Sequence, residues 1–297
     1  MIGAAEAIDF ANRLFTTVRL EEYPGKLIQA LQELAPFEIY TVTIFIPNRA
    51  PLLLYGNLDE FVPPRVIENF LTGTYLLDAV YSACCAGVKP GLFRLSELAP
   101  DDYFSSDFYN SADFHPCVSD EKGSLAEEIV YMARPAEDLY LVLSLMRTKR
   151  VSPFDDAEFG NLKVVAPVVL ETMSSHWQSH VSQARQSDVE PPASTLDKAF
   201  ATFAKDKLSP REQTIVSLLL RGHSTLSVAH NLDIAEGTAK VHRRNIYEKL
   251  GISSQAQMFL MFCSHIIDSQ EPLSARNIHS DQRMSPDRGT GSGQRHA

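Results

Sequence analysis

The sequence predicts two unlike domains in tandem: an α+β domain, an antiparallel sheet with helices, over residues 1–183, and an all-α domain of four short helices over residues 208–267. Three observations carry this. Residues 39–46 (IYTVTIFI) alternate and are rich in β-branched and aromatic side chains, as a half-buried strand requires. Residues 128–133 (EIVYMA) and 139–146 (LYLVLSLM) flank a polar turn at residues 134–138, which is the pattern of an antiparallel hairpin. From Leu208 onward the punctuation becomes helical, with capping signals at Ser209 and Ser254 and glycine stops at Gly222 and Gly251. Residues 184–207, around Pro191-Pro192, read as a linker, and residues 268–297 as a polar, aperiodic, disordered tail.

The N-terminal elements follow in order. Residues 2–34 read as two helices broken near Tyr23-Pro24-Gly25. After Pro51, residues 52–55 form a second strand, and residues 65–71 a short helix after Pro63-Pro64. Residues 73–117 are dense in aromatics (Tyr75, Tyr81, Phe93, Tyr103, Phe104, Phe108, Tyr109 and Phe114), which pack a core or line a pocket. A long helical pattern from residue 154 to about 183 places Phe159, Leu162, Val165, Val169 and Met173 at helical spacing, with Pro167 expected to kink or split it.

Bulk properties narrow the class. The 297 residues are 44% hydrophobic, enough for a core and for more than one domain. No apolar run approaches the roughly 18 residues of a membrane span, and residues 1–10 lack the basic and apolar regions of a signal peptide. A soluble cytoplasmic protein without membrane association is expected. Cys84 and Cys85 are adjacent, Cys117 and Cys263 isolated, and no CxxC pair exists. The vicinal pair reads as two small buried residues, with redox or soft-metal sensing as the alternative. The net charge is −10, but unevenly spread: residues 1–207 carry −12 and residues 208–263 carry +2. The basic charge is thus concentrated in one short module of an acidic chain.

That module is the most informative part. Ser209 caps a helix that has Pro210 at its first position and Glu212 completing a capping box. Ser224 opens a second, short helix, with Ala229 where close helix packing needs a small side chain. Asp233-Ile234-Ala235 makes a tight connection, and a third helix runs from Glu236 to Leu250. Two helices so joined form a helix-turn-helix. On the third helix Ala239, Ile246 and Leu250 share an inward face with His242 at its edge, where a hydrogen bond to a neighbouring helix is expected; Gly237, Lys240, Val241 and Arg244 occupy the opposite arc. Lys240 and Arg244 can donate to guanine edges and Val241 can touch a thymine methyl. Arg243, on the flank, and Ser224 and Thr225, at a helix start with free N–H groups, suit phosphates. A fourth helix after Ser254 carries Met258, Phe259, Leu260, Met261 and Phe262, apolar all round. Met258, Phe259, Met261 and Phe262 are expected to make a dimer contact, since dimers match two-fold half-sites; cover by the rest of the chain is the alternative.

Residues 208–252 resemble the DNA-binding domain of the LuxR and response-regulator superfamily, through Leu208, Pro210-Arg211-Glu212, Gly222, Ser224, Ala229, Leu232, Ile234, Thr238, Lys240, His242, Ile246 and Lys249-Leu250-Gly251. The resemblance implies base contacts from Lys240, Val241 and Arg244, dimerisation through the fourth helix, double-stranded DNA as partner, and RNA polymerase as a protein partner. Three positions depart from the pattern: Ser227 replaces an acidic residue, so the second helix loses its capping box; Ala235 replaces a Ser/Thr cap; and Ala239 replaces valine. A lost cap costs about 1 kcal/mol. By element order the N-terminal domain resembles GAF/PAS-like sensor domains, which implies a small-molecule effector of unspecified identity or a protein signal. It lacks the tryptophans of the acyl-homoserine-lactone pocket, since Trp177, the only one, lies in the connector helix.

The leading reading is therefore a sequence-specific transcription regulator with a sensor domain. A protein-interaction adaptor with a degenerate helix-turn-helix is the alternative. No nucleophile elbow, P-loop, metal-ligand spacing or catalytic acid pair is present, so no enzyme, catalytic residue, cofactor or metal is expected.

Overall fold

A computed structural model describes residues 2–47, 49–107, 109–110, 125–186 and 195–269. The tail from residue 270, Phe108, Phe114, Cys117 and the Pro191-Pro192 segment lie outside the described residues.

Two helices, α1 (Ala4–Thr17) and α2 (Tyr23–Leu34), precede the sheet. The break between them falls at residues 18–22, and Tyr23-Pro24-Gly25 opens the second helix, because Pro24 falls in the first turn, where its missing N–H costs nothing. Strands β1 (Ile39–Phe45) and β2 (Leu52–Gly56) follow, then the helices α3 (Pro64–Thr72) and α4 (Ala79–Cys85). Next come β3 (Gly91–Arg94), the one-turn helix α5 (Leu95–Leu98), and the hairpin β4 (Leu125–Ala136) and β5 (Leu139–Thr148). The five strands form one antiparallel sheet in the order β2-β1-β5-β4-β3.

The period of two sorts the strand side chains. Val42, Ile44, Ile129, Tyr131, Leu141, Leu143 and Leu145 face one side and are buried under α1, α2 and the long helix α6 (Asp156–His176). Phe45, Val130, Met132, Tyr140, Val142 and Met146 face the other, beneath α3 and α4. Tyr75, Tyr81, Tyr103 and Tyr109 join this second core, so packing is the role of those four aromatics; Phe104 is exposed.

The start of α6 is fixed to β5. Asp155 caps the helix and Glu158 completes the box. Glu158 also takes a bidentate pair from Arg147, at 2.7 and 2.9 Å. Arg147 is 4% exposed, donates to the carbonyls of Pro36, Ser152 and Pro153, and lies over the Phe154 ring. Pro167 stays inside α6, on its exposed side. The break comes ten residues later at Trp177, before α7 (Gln178–Gln186).

The segment read as a linker carries a further helix, α8 (Thr195–Thr202). Its Phe200, and Phe203 just past its end, are buried against α12 (Gln255–Ser269), Phe200 stacking on Phe262 at 4.4 Å and Phe203 meeting the same ring edge-on at 5.3 Å. Between them run α9 (Pro210–Leu220), α10 (Thr225–Asn231) and α11 (Glu236–Leu250).

Candidate nucleic-acid interface

The helical module is held together by local chemistry. Ser209 Oγ accepts from the Glu212 N–H and the Glu212 carboxylate accepts from the Ser209 N–H at 2.8 Å, the reciprocal box. Glu212 is itself buried and takes Lys249 Nζ at 2.7 and 2.8 Å, tying the start of α9 to the end of α11. Burial opposes ionisation of Glu212, but Lys249 and the Ser209 donors outweigh it and hold the carboxyl at about 2. Arg211 Nη2 donates to the Leu232 carbonyl at 2.8 Å, bracing the end of α10. Gly251, at φ +70°, closes α11 in the left-handed conformation.

Ala239, Ile246 and Leu250 of α11 are buried, while Gly237, Lys240, Val241 and Arg244 are exposed along the opposite arc. The spacing and the fold agree on this face. Lys240 is paired with Glu236 at 2.6 Å and Arg244 with Glu248 at 3.8 Å, both exposed i,i+4 pairs. Such pairs are worth only about 0.2–0.5 kcal/mol and are readily exchanged. A Cβ at Gly237 would meet nothing within 4 Å, so that side of the helix is open to approach. Ala235 provides no side-chain cap to α11. His242 lies half-buried at the edge of the inward face; the hydrogen bond expected for it is not made among the described residues.

Three groups of candidate residues are engaged within the chain. First, Ser224 is not free. Its N–H donates to Asp101 Oδ1 at 3.0 Å and its hydroxyl to Asp101 Oδ2 at 2.5 Å, a contact from the N-terminal domain 123 residues away. Second, Thr225 and Arg243 hold each other, Arg243 Nη1 donating to Thr225 Oγ1 at 2.9 Å. Third, the apolar residues of α12 are not all outward. Met258, Phe259 and Phe262 are buried within the chain, whereas Met261 and Leu260 are exposed. The lost capping box of α10 is half retained: Ser224 Oγ still accepts from the Ser227 N–H, and Ser227 Oγ meets His223 Nδ1 at 2.8 Å instead.

The contact at Ser224 belongs to a larger seam. The Asp102 N–H donates to the Gly222 carbonyl at 3.0 Å. Gly222 adopts φ +89°, and a Cβ there would stand 2.7 Å from Tyr103 Cα, so only glycine permits this approach. Two hydrogen bonds from Ser224 and the nearby His223 outweigh the slight burial of Asp101 and hold its carboxyl below the usual carboxylate range. The same loop reaches inward: Tyr103 is buried and its hydroxyl accepts from the Ala79 N–H at the start of α4.

Behind α4 lies a small cavity of about 40 Å³, bounded by β1, β4, β5 and α3. Its wall is apolar except for Thr41, Thr43, Ser144, Glu128 and Asp78. The register puts Thr41 opposite Ser144 and Glu128 diagonal to it, so four polar side chains from three adjacent strands converge on one patch. Sequence reading missed this group. The signal was an acid in phase with Val130 and Met132 on a buried strand face. Of the cysteines, Cys84 and Cys263 are buried and Cys85 is exposed. Among the described residues no group of three or more His, Cys, Asp or Glu side chains could hold a metal, and no helix is long and apolar enough to cross a membrane.

These elements define a helix-turn-helix module with an exposed basic recognition helix, joined to an α+β domain that encloses a cavity. Residues 206–262 match the family of bacterial regulatory proteins, luxR family, and the chain carries a luxR-family DNA-binding domain at its C-terminus. It is 28% identical over 197 residues to an HTH-type transcriptional regulator in the exeN 3′ region of Aeromonas salmonicida, covering 64% of this chain and 95% of that one. It is 47% identical over 49 residues to the response regulator protein TodT of Pseudomonas putida, covering 16% of this chain and 22% of that one. The VqsR LBD domain of Pseudomonas aeruginosa superposes with a TM-score of 0.48 at 24% identity, over 59% of this chain and 98% of that one. The chain is a DNA-binding transcription regulator whose C-terminal module is of the luxR type.

Proposed function

We propose that the chain reads double-stranded DNA with Lys240, Val241 and Arg244 in the major groove, and that occupancy of the N-terminal cavity by a small-molecule effector controls this reading. The observation that carries the proposal is the seam at residues 101–103. One short loop touches both the cavity side, through Tyr103 and the start of α4, and the helix-turn-helix, through Gly222 and Ser224. On DNA, Lys240 and Arg244 exchange Glu236 and Glu248 for base edges, and Arg243, Thr225 and Ser224 turn to the phosphate backbone. The Asp101 carboxylate stands on the Ser224 donors that a phosphate would use. The arrangement described is therefore a closed one, and the effector shifts the population toward a state in which this loop lets go.

The protein acts in the cytoplasm as a homodimer, with Leu260 and Met261 as the exposed apolar contribution of α12 to the pairing, and RNA polymerase is its protein partner at a promoter. Fluorescence anisotropy with genomic fragments tests the proposal. Salt-sensitive binding that is lost with Lys240→Ala and Arg244→Ala together supports it. Retention of a protein partner with no retention on DNA would instead favour the adaptor reading.

A further inference from the structure

The inference rests on the reading of the N-terminal cavity as the effector site. We infer that this cavity takes a small organic cation, an amine or guanidine, held between Asp78 and Glu128. Both side chains line the cavity and are more than nine-tenths buried, at 9% and 7% exposure. Among the described residues neither is paired with a Lys, Arg or His. The nearest arginines in sequence and register are committed elsewhere: Arg94 to Glu127, and Arg147 to Glu158.

Asp78 has a structural task, since its Oδ1 accepts from the Val80 and Tyr81 N–H groups and caps α4. Glu128 has none. It occupies a sheet position in phase with Val130 and Met132, where an apolar side chain would pack, and the hydroxyl of Ser144 is the partner it keeps. Ionising Glu128 beside the Asp78 carboxylate costs several kcal/mol without a counter-charge, so Glu128 keeps its proton unless a cation is at hand. A ligand that brings the missing positive charge removes that cost. Phe45 and Phe70 line the same space, and an aromatic ring attracts an ammonium that reaches its face. Thr41, Thr43 and Ser144 supply hydroxyls for the remaining donors and acceptors.

The charge state makes the idea testable. Among the described residues the titratable groups coupled to this site are acids, Asp78 and Cys84 from α4 and Tyr103 from the loop. Burial, reinforced by Asp78, pushes Glu128 up to about 8, so at neutral pH it holds a proton. An incoming ammonium leaves its own N–H bonds intact and displaces the Glu128 proton to solvent, forming an ammonium–carboxylate pair. Binding should therefore release up to one proton, and affinity should rise about tenfold per pH unit below about pH 8.

The experiment is titration calorimetry and thermal shift on the full chain with putrescine, agmatine, tyramine and choline, against 1,4-butanediol and tyrosol as neutral counterparts, in buffers of different ionisation enthalpy. The expected result is saturable stabilisation by at least one cation and not by its neutral counterpart, with proton release. Glu128→Gln should lose the proton release and weaken cation binding at least tenfold while remaining folded by circular dichroism; Asp78→Asn, which preserves the cap, should weaken binding in the same direction. Binding of a neutral compound but no cation would overturn the charge assignment and leave the effector site standing. Binding of no compound from either set would overturn both.

Discussion

Removal of the Asp101 carboxylate should strengthen DNA binding without any effector. Asp101 makes two hydrogen bonds to Ser224, at 2.5 and 3.0 Å, from an exposed position. A charged acceptor contributes about 1.5–3 kcal/mol per hydrogen bond where it is desolvated, and solvent screening at this exposure reduces the pair to about 1–2 kcal/mol. If that energy holds the closed arrangement and the open one binds DNA, Asp101→Ala frees the Ser224 donors and should raise apparent DNA affinity by about 5–30-fold. Asp101→Asn should give a smaller gain, since an amide oxygen still accepts one bond. The assay is fluorescence anisotropy on an operator fragment at fixed salt, with α-helical content checked by circular dichroism. Unchanged or weaker DNA binding by folded Asp101→Ala would refute the claim that this contact competes with DNA.

Other consequences follow from the same structure. Gly222→Ala combines a positive φ with a Cβ 2.7 Å from Tyr103 Cα, so it should open the seam and speed proteolysis between the domains, as limited digestion would register. Phe262→Ala removes a fully buried ring stacked on Phe200 and should cost about 3–5 kcal/mol in the C-terminal helices by urea denaturation. The Glu128 carboxyl is raised from 4.5 to about 8, so between those values the folded chain keeps a proton that the unfolded chain has released. Stability should therefore fall as pH rises from about 5 to 8, and Glu128→Gln should flatten that slope in pH-dependent melting. Glu212 works in the opposite sense. Held at about 2, it contributes stability that is present above its unfolded value and lost as pH falls through the folded one, and Lys249→Met should remove much of that acid sensitivity.

The C-terminal helices were legible because their signals are local. Ser209, Glu212, Gly222 and Gly251 specify starts and stops within a few residues, and the 3.6-residue period alone sorted Ala239 and Ile246 from Lys240 and Arg244. What was not legible depends on distant partners. Helix α8 lies in a Ser/Thr-containing stretch after a Pro-Pro break, and Phe200 and Phe203 become core only once α12 is beside them. The same partners turn Met258, Phe259 and Phe262 inward and leave Leu260 and Met261 outside. Strand β3 spans four residues at a sheet edge, too short for a period to show. The cavity required the register of β1, β4 and β5, because Thr41, Ser144 and Glu128 lie up to about a hundred residues apart along the chain. The Asp101–Ser224 contact joins the two domains and has no sequence signature.

The most direct test of the central claim is the salt dependence of binding to a genomic operator by wild type and by Lys240→Ala/Arg244→Ala. A DNA reader that uses the exposed arc of α11 should lose affinity steeply with salt. The double variant should lose about 1–3 kcal/mol for each base contact removed, with relaxed discrimination between operator and unrelated sequence. Equal binding by wild type and the double variant at every salt concentration would contradict the account.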